Sequence, residues 1–204
     1  EQLPANRRNV QMVFKNPATS FNPKMKVRDI ICEPLMNFGL IKKKEKDAIA
    51  RKYLEMVELP GDFVDRYPHN MSGGQQQRVG IARALAMNPQ IIFADEPTGN
   101  LDSKTTMEVL KLMQKVVREQ KQTLVMVTHD NNLATYADRI FKIIDGKIVS
   151  IEENHHEVDL VQLKESMKAA AEAQAEGKSK NQAEEEQIET LVKAEEHRIE
   201  RKSE

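Results

Sequence analysis

The sequence predicts an α/β fold in which helices cover a mostly parallel sheet. Short apolar runs of strand length occur at 10–14, 91–94 and 123–127, and segments with helical spacing lie between them. The charge also changes along the chain, because residues 1–151 hold 23 basic and 17 acidic side chains whereas residues 152–204 hold 8 and 15. We therefore expect a folded body over 1–151, followed by an acidic extension over 152–204.

The composition excludes several classes of protein. Charged residues make up 31% of the 204 residues and the mean hydropathy is -0.62, which is typical of a chain with a well-solvated surface. No apolar run approaches the roughly 20 residues of a membrane-spanning helix, and the N-terminus lacks a signal-peptide pattern. The single cysteine, Cys32, cannot form an internal disulfide, and we interpret it as core packing in a cytoplasmic protein.

The first half of the body combines one strand with three helices. The segment 10–14 is interpreted as a buried strand that ends at an Asn-Pro turn. Apolar spacing predicts helices at 27–38, 44–57 and 75–87, the last of which ends before the next proline. The lysine-rich segment KKKEK is interpreted as the solvated start of the second helix. Together these helices predict a small helical subdomain over about 25–88.

The second half of the body contains the remaining strands. The runs at 91–94 and 123–127 are interpreted as strands buried on both faces, and an amphipathic helix is predicted between them at 103–118. Two further runs, at 140–144 and 147–151, flank an Asp-Gly pair and predict a hairpin.

The extension has a different pattern. Residues 157–176 and 183–200 are rich in Ala, Glu, Lys and Gln, and their apolar stripe is too narrow to bury much surface. We expect two solvated helices or helix-prone disorder. A coiled-coil surface for a partner is the alternative interpretation.

A glycine-containing segment precedes the third predicted helix of the body. Ser72, Gly73, Gly74 and Gln75 can turn backbone N–H groups toward a phosphate at the helix N-terminus, and the two glycines remove side chains that would hinder its approach. The segment therefore predicts an anion-binding cap. An ordinary loop with a serine N-cap would have the same sequence pattern.

Polar residues also follow two of the predicted strands. Asp95 and Glu96 end the apolar run at 91–94, at the strand end where open α/β sheets bind ligands. Asp95 is suited to hold a hydrated magnesium ion, and Glu96 is suited to accept a proton from attacking water. His129 follows the next strand and could contact a phosphate and a carboxylate, although a lone histidine is also a common surface or capping residue.

Three segments together resemble a known family. The order MSGGQQQR at 71–78, IIFADEPTGNLD at 91–102 and THD at 128–130 resembles the nucleotide-binding domain of ATP-binding-cassette (ABC) proteins. The resemblance extends from about residue 7 to about residue 151. It implies a P-loop NTPase-like sheet, ATP and Mg2+ as cofactors, and ATP hydrolysis as the activity. It also implies roles for individual residues. The signature loop consists of Ser72, Gly73, Gly74 and Gln75, and the D-loop runs from Gly99 to Asp102, with Asp102 expected to bind the cofactor. Asp95 is the Walker B aspartate, Glu96 the catalytic base and His129 the switch histidine.

The resemblance also implies partners. In this family two nucleotide-binding domains enclose two ATP molecules head to tail, so that one chain supplies halves of two sites. We therefore expect a second nucleotide-binding domain, in a homodimer or heterodimer, and the permease subunits of a transporter on the inner face of the cell membrane. The sequence at 16–35 is similar to that of oligopeptide and dipeptide importers. The sequence ADEPTGNLD at 94–102 is also similar to that of lipoprotein-release and macrolide-export ATPases. We favour a peptide importer.

Two departures from the family pattern affect the expected activity. The P-loop motif G-x-x-x-x-G-K-[ST] belongs upstream of the first strand and is absent from these 204 residues, since Gly177-Lys178-Ser179 has Glu172 where the first glycine belongs. We therefore expect the isolated chain to be inactive. Lys15 stands where the family usually has glutamine, and an ammonium cannot ligate a metal ion. Lys15 then contacts phosphate directly, or magnesium coordination is altered, or the loop serves only mechanical coupling.

Two other functions fit the same resemblance. The chain could be a soluble ABC protein that acts on ribosomes or nucleic acid, or a non-catalytic fragment that acts as a scaffold. Only 56 residues lie between Lys15 and Ser72, so no long coiled coil of the kind found in chromosome-maintenance ATPases interrupts the body. We therefore expect no nucleic-acid partner.

Overall fold

A computed structural model describes residues 8–154. This part of the chain forms two compact units, of which the first extends to Thr135 and the second begins at Tyr136. The helices predicted at 157–176 and 183–200 lie outside the described residues. Within residues 8–154, no helix has both the length and the apolar character needed to cross a membrane.

The first unit contains three strands and six α-helices in the described range. In chain order these are β1 (Val10–Val13), α1 (Pro17–Ser20), α2 (Val27–Asn37), α3 (Lys46–Met56), α4 (Gly73–Ala86), β2 (Ile91–Asp95), α5 (Ser103–Glu119), β3 (Thr123–Val127) and α6 (Asn131–Ala134). Short 3-10 helices occur at Lys43–Glu45, Gly61–Asp65 and Pro68–Asn70. The helices predicted between the first two strands are therefore present, and the bounds of the helical subdomain stay a prediction.

The sheet of the first unit is parallel, as the sequence predicts. Its strand order is β1-β2-β3, and both neighbouring pairs run in the same direction. Val13 pairs with Ala94, and Asp95 pairs with Val127. Because the strands are parallel and in this register, the carboxyl ends of all three strands lie at the same edge of the sheet.

The core lies between one face of the sheet and the long helices. Helix α5 is strongly amphipathic, and its buried face consists of Val109, Leu110, Leu112, Met113, Val116 and Val117. The sheet contributes Val13, Ile92 and Ala94, and the other helices contribute side chains such as Ile31, Leu54 and Val79. Burial of these apolar groups provides the main stabilisation of the unit.

The second face of the sheet corrects one expectation. Side chains alternate across a strand, so the residues between the core positions point the other way. Six of them are 39–58% exposed: Val10, Met12, Phe14, Phe93, Val125 and Val127. The interpretation of the strands as buried on both faces is therefore wrong for the described residues, in which the core helices pack against only the alternate set of side chains.

The second unit contains a hairpin of β4 (Arg139–Ile144) and β5 (Lys147–Glu153). The two strands are antiparallel, which confirms the predicted hairpin. Asp145 and Gly146 both have positive φ, of 50° and 74°, as a two-residue type I′ turn requires. Strand β5 continues two residues past the body boundary expected at residue 151.

Candidate functional site

Three side chains from the ends of the three parallel strands meet at one edge of the sheet. Lys15 lies two residues beyond β1, Glu96 directly follows β2, and His129 lies two residues beyond β3. The Nζ atom of Lys15 contacts Oε2 of Glu96, and Nδ1 of His129 lies 2.5 Å from Oε1 of the same carboxylate. We call these three residues the strand-end cluster.

The backbone of Glu96 turns its side chain into this cluster. Glu96 has a φ of 41°, in the left-handed region that residues with a side chain rarely adopt. Its N–H donates to the carbonyl oxygen of Val127 at 2.9 Å, so β3 continues to hold the chain at this turn. Strained backbone of this kind persists where its surroundings fix it, and it is common at functional sites.

The charges around Glu96 favour its ionised form. Lys15, and after it His129, hold the pKa of the Glu96 carboxyl below its usual range through hydrogen bonds to the carboxylate. Glu96 is therefore ionised at neutral pH and available as a proton acceptor. In the described structure, however, each of its two oxygens already has a partner.

Gly99 provides the space for the Lys15 side chain. A Cβ placed on Gly99 would lie 2.7 Å from Cε of Lys15 and 3.2 Å from Oε2 of Glu96. The Gly99 N–H donates to the Glu96 carbonyl oxygen at 3.0 Å, which closes a tight turn after the strand. The close approach of Lys15 to this turn thus requires glycine at position 99.

Asp95 lies at the end of β2 beside this cluster. Its side chain is exposed and borders a cavity of about 590 Å3 whose lining also includes Phe14, Phe93 and Val127. Among residues 8–154 no three His, Cys, Asp or Glu side chains are grouped to hold a metal ion by themselves. A single exposed carboxylate fits Mg2+, which is commonly held by one or two carboxylates together with water and substrate phosphates.

The signature loop forms the N-terminus of α4. Ser72 is the N-cap: its Oγ accepts from the Gln75 N–H at 3.3 Å, while the Ser72 N–H donates to Oε1 of Gln75 at 3.0 Å. This reciprocal pair is a capping box. The N–H groups of Gly73 and Gly74 lie in the first turn, where a helix provides no partner for them, so they are suited to bind an anion.

Close packing joins the signature loop to the start of α5. A Cβ on Gly74 would lie 2.5 Å from Cγ2 of Thr105, and one on Gly73 would lie 3.4 Å from Cδ2 of Leu101. Within residues 8–154 no hydrogen bond or ion pair connects this loop to Glu96. The signature loop and the strand-end cluster thus form two candidate phosphate-binding surfaces, joined through the segment 99–105.

Asp102 caps helix α5. Its Oδ1 accepts from the Thr105 N–H at 3.0 Å, and its Oδ2 accepts from the Thr105 hydroxyl at 2.7 Å. These bonds hold the pKa of Asp102 below its usual range, with the backbone N–H of Thr105 as the largest cause. Both carboxylate oxygens are thus occupied by capping, and a role of Asp102 in cofactor binding stays a prediction.

Gln77 is a site residue that the sequence analysis missed. Its side chain is 1% exposed, and its Nε2 donates to the carbonyl oxygen of Phe14 at 3.0 Å, directly before Lys15. The available signal was a polar residue on the buried face of α4, four positions before Ile81. A buried amide needs a partner, and such a position therefore indicates a specific contact.

Comparisons with known proteins identify a matching family and similar sequences. A family model described as ABC transporter matches residues 1–99. The oligopeptide transport ATP-binding protein OppF of Streptococcus mutans is 46% identical over 158 residues, which cover 74% of this chain and 51% of that protein. The dipeptide transport ATP-binding protein DppF of Lactococcus lactis is 42% identical over 147 residues, which cover 71% and 47%. The chain spans about half the length of the curated relatives it matches.

Solved structures of ATP-binding cassettes are also similar to this chain. A structure described as the dimeric, post-hydrolysis state of the ATP-binding cassette MJ0796 bound to ADP and Pi is 38% identical, with a TM-score of 0.63, and the match covers 76% of this chain and 67% of that one. The resemblance inferred from the three motifs is thus confirmed. The chain belongs to the ABC transporter family, and it is similar to the ATP-binding proteins of oligopeptide and dipeptide transport.

Proposed function

We propose that this chain is the ATP-binding and ATP-hydrolysing part of a membrane ABC transporter for peptides. The observation that carries the proposal is the convergence of Lys15 and His129 on the carboxylate of Glu96, next to Asp95 at the carboxyl edge of a parallel sheet. Ligands of open α/β sheets bind at this edge. The names of the relatives support peptides as the transported class.

In the proposed reaction, Glu96 acts as the general base. Its ionised carboxylate accepts a proton from the water that attacks the terminal phosphate. His129 orients this carboxylate through Oε1, and when the ring is doubly protonated its other nitrogen can donate to a phosphate oxygen. Asp95 would hold Mg2+, which neutralises charge on the phosphates when it is bound.

The signature loop would serve a second nucleotide. We infer that Ser72 and the N–H groups of Gly73 and Gly74 bind the phosphates of an ATP molecule held mainly by another nucleotide-binding domain. The dimeric state of the similar cassette MJ0796 supports such a division. ATP then joins the two domains, and its hydrolysis releases them.

Within this proposal the chain acts on the inner face of the membrane. The permease subunits are its membrane partners, and the region between about residue 15 and residue 70 is the proposed docking region. The 204 residues contain no P-loop motif, and we propose that this polypeptide alone binds ATP weakly. Calorimetry at millimolar magnesium tests this point, and tight binding by the isolated chain would contradict it.

Nucleotide-driven pairing tests the proposed function. The chain is mixed with an ABC nucleotide-binding domain that has a P-loop, and the mass of the complex is measured by light scattering with Mg-ATP and with Mg-ADP. We expect a heterodimer with ATP that is lost in Ser72→Arg and retained in Ser72→Thr, since threonine keeps the hydroxyl of the cap. Absence of a heterodimer at millimolar ATP would contradict the proposal.

A non-catalytic scaffold is the second candidate, and one observation favours it. Lys15 and His129 both engage the Glu96 carboxylate and hold its pKa below its usual range, which makes it a weaker proton acceptor. Affinity capture distinguishes the transporter subunit from a soluble ABC protein. Capture of permease subunits is expected for the transporter function, whereas capture of ribosomes without any membrane protein would indicate the soluble class.

A further inference from the structure

The turn between α2 and α3 presents two large apolar side chains to solvent. Phe38 is 39% exposed and Leu40 is 40% exposed. Gly39 lies between them with a φ of 66°, and a Cβ placed on it would have no described atom within 4 Å. The N–H groups of Gly39 and Leu40 donate back to carbonyl oxygens of the last turn of α2 at 3.0 and 2.9 Å. This Schellman motif holds both apolar side chains on an ordered, open turn.

Three consecutive lysines follow this turn. Lys42, Lys43 and Lys44 are exposed, and within residues 8–154 none of them takes part in an ion pair. The neighbouring cations differ in this respect. Five of the six other basic residues from 26 to 66 are ion-paired with aspartates, and the sixth, Lys52, lies over the ring of Tyr53. The three lysines therefore form a local concentration of positive charge.

The surroundings of the lysines do not cancel this charge. Oε2 of Glu45 accepts from the backbone N–H of Lys42 at 2.6 Å, and Asp47 is engaged in a 2.7 Å ion pair with Arg51. With the carboxylate of Glu45 counted, residues 42–45 still carry a net charge of +2. They also lie at the N-terminus of α3, where the helix dipole is positive. The ammonium groups and the helix together attract an anionic partner.

We propose that residues 38–44 form a membrane-surface patch that binds anionic lipid headgroups. Elements that lie in a membrane interface combine apolar side chains with lysines, and their binding strength grows with the buried apolar area and with the attraction to anionic lipids. The patch has both components side by side, and the apolar pair favours a lipid surface over a purely acidic partner. The patch lies in the region proposed for docking, and the inference goes beyond the proposed function, which involves no lipid.

The first test measures binding to vesicles by flotation of the full chain. One set of vesicles contains phosphatidylcholine and phosphatidylglycerol in equal parts, and the other contains phosphatidylcholine alone. We expect binding only to the anionic vesicles, because the lysines supply the main attraction. Each lysine near an anionic surface contributes about a fivefold gain in binding, so we expect a loss of about 100-fold in the triple variant Lys42→Gln, Lys43→Gln and Lys44→Gln.

A matched control removes the same net charge elsewhere. The exposed residues Lys111, Lys142 and Lys147 lie on α5 and on the hairpin, far in sequence from the patch. We expect the triple variant Lys111→Gln, Lys142→Gln and Lys147→Gln to bind the anionic vesicles like the wild type. Absence of binding by the wild type, equal binding to both kinds of vesicle, or an equal loss in the two triple variants would each overturn the proposal.

The second test locates the contact. The chain contains no tryptophan, so Phe38→Trp places a single fluorescent probe on the turn. We expect anionic vesicles to shift its emission to shorter wavelength, and brominated lipids to quench it, because the ring enters the apolar boundary of the bilayer. Phe141→Trp on the hairpin, where the wild-type side chain is 47% exposed, serves as the control and should not shift. No shift at position 38, or equal shifts at both positions, would overturn the proposal.

Polyglutamate distinguishes a lipid surface from an acidic protein partner. We expect it to leave the emission of Phe38→Trp unchanged, whereas a shift with polyglutamate as large as that with anionic vesicles would assign the patch to an acidic polypeptide and overturn the proposal. These measurements use neither ATP nor a permease. Failure of lipid binding therefore leaves the proposed function standing, and failure of the nucleotide-driven pairing leaves the lipid contact standing.

Discussion

The side chain of Gln77 donates a 3.0 Å hydrogen bond to the backbone carbonyl oxygen of Phe14, a residue 63 positions earlier in the chain. This bond ties helix α4, whose N-terminus is the signature loop, to the segment that carries Lys15. Both proposed surfaces of the protein are therefore connected through one buried amide.

Loss of this bond should destabilise the fold. In Gln77→Met the Phe14 carbonyl oxygen loses its buried donor, and we expect a loss of about 0.5–1.5 kcal/mol in the free energy of unfolding. Urea denaturation measures the difference, and Lys111→Met on the exposed side of α5 provides the control. An unchanged midpoint would show that the bond contributes nothing to stability.

The cap of α5 should make stability depend on pH. Asp102 has a lowered pKa in the folded chain, so its contribution is present above the unfolded value near 4 and is lost as the pH falls through the folded value. We expect Asp102→Asn to flatten the decline of stability below about pH 5, because asparagine keeps a capping oxygen but does not titrate. Thermal unfolding from pH 7 to pH 2 measures this, and an unaltered profile in Asp102→Asn would contradict it.

Cys32 should be unreactive in the folded protein. The side chain is fully buried, and this burial raises the pKa of its thiol to about 11. On the order of one thiol in a thousand is then ionised at pH 8, and only the thiolate is nucleophilic. We expect iodoacetamide to label the denatured chain rapidly and the native chain slowly, as measured by mass spectrometry. Equal labelling rates would place Cys32 outside the core.

Helix α5 ends in a position suited to glycine. Lys121 has a φ of 53°, and the N–H groups of Lys121 and Gln122 donate back to the carbonyl oxygens of Arg118 and Val117 in a Schellman motif. Lys121→Gly should raise the free energy of unfolding by about 0.5–1 kcal/mol, since the relief of left-handed strain exceeds the entropy cost of glycine. Lys121→Ala retains the Cβ and should bring no gain. A loss of stability in Lys121→Gly would contradict this explanation.

Sequence patterns predicted much of this fold because apolar periodicity dictates the elements. The strand at Thr123–Val127 and the hairpin around Asp145 follow directly from runs of apolar residues and turn chemistry. The grouping of Glu96 and His129 was also predictable, because parallel strands bring their carboxyl ends to one edge.

Other features depend on relations that no local pattern contains. The contact of Lys15 with Glu96 requires the strand register and the left-handed backbone at Glu96 together. The exposure of Phe93 depends on which face of the sheet the helices cover, although its apolar run alone indicated burial. The partner of Gln77 could not be named, since its acceptor is a backbone atom of a distant segment.

Hydrolysis by a completed cassette tests the central claim, that Glu96 is the base of an ATPase site, most directly. A P-loop segment of an ABC transporter is joined to the N-terminus of this chain, and phosphate release is measured with Mg-ATP. We predict hydrolysis that falls at least about 100-fold in Glu96→Gln, the usual contribution of a general base, and that is unchanged in Glu108→Gln on the exposed surface of α5. A folded, ATP-binding chimera that hydrolyses equally well with Glu96→Gln would contradict the account.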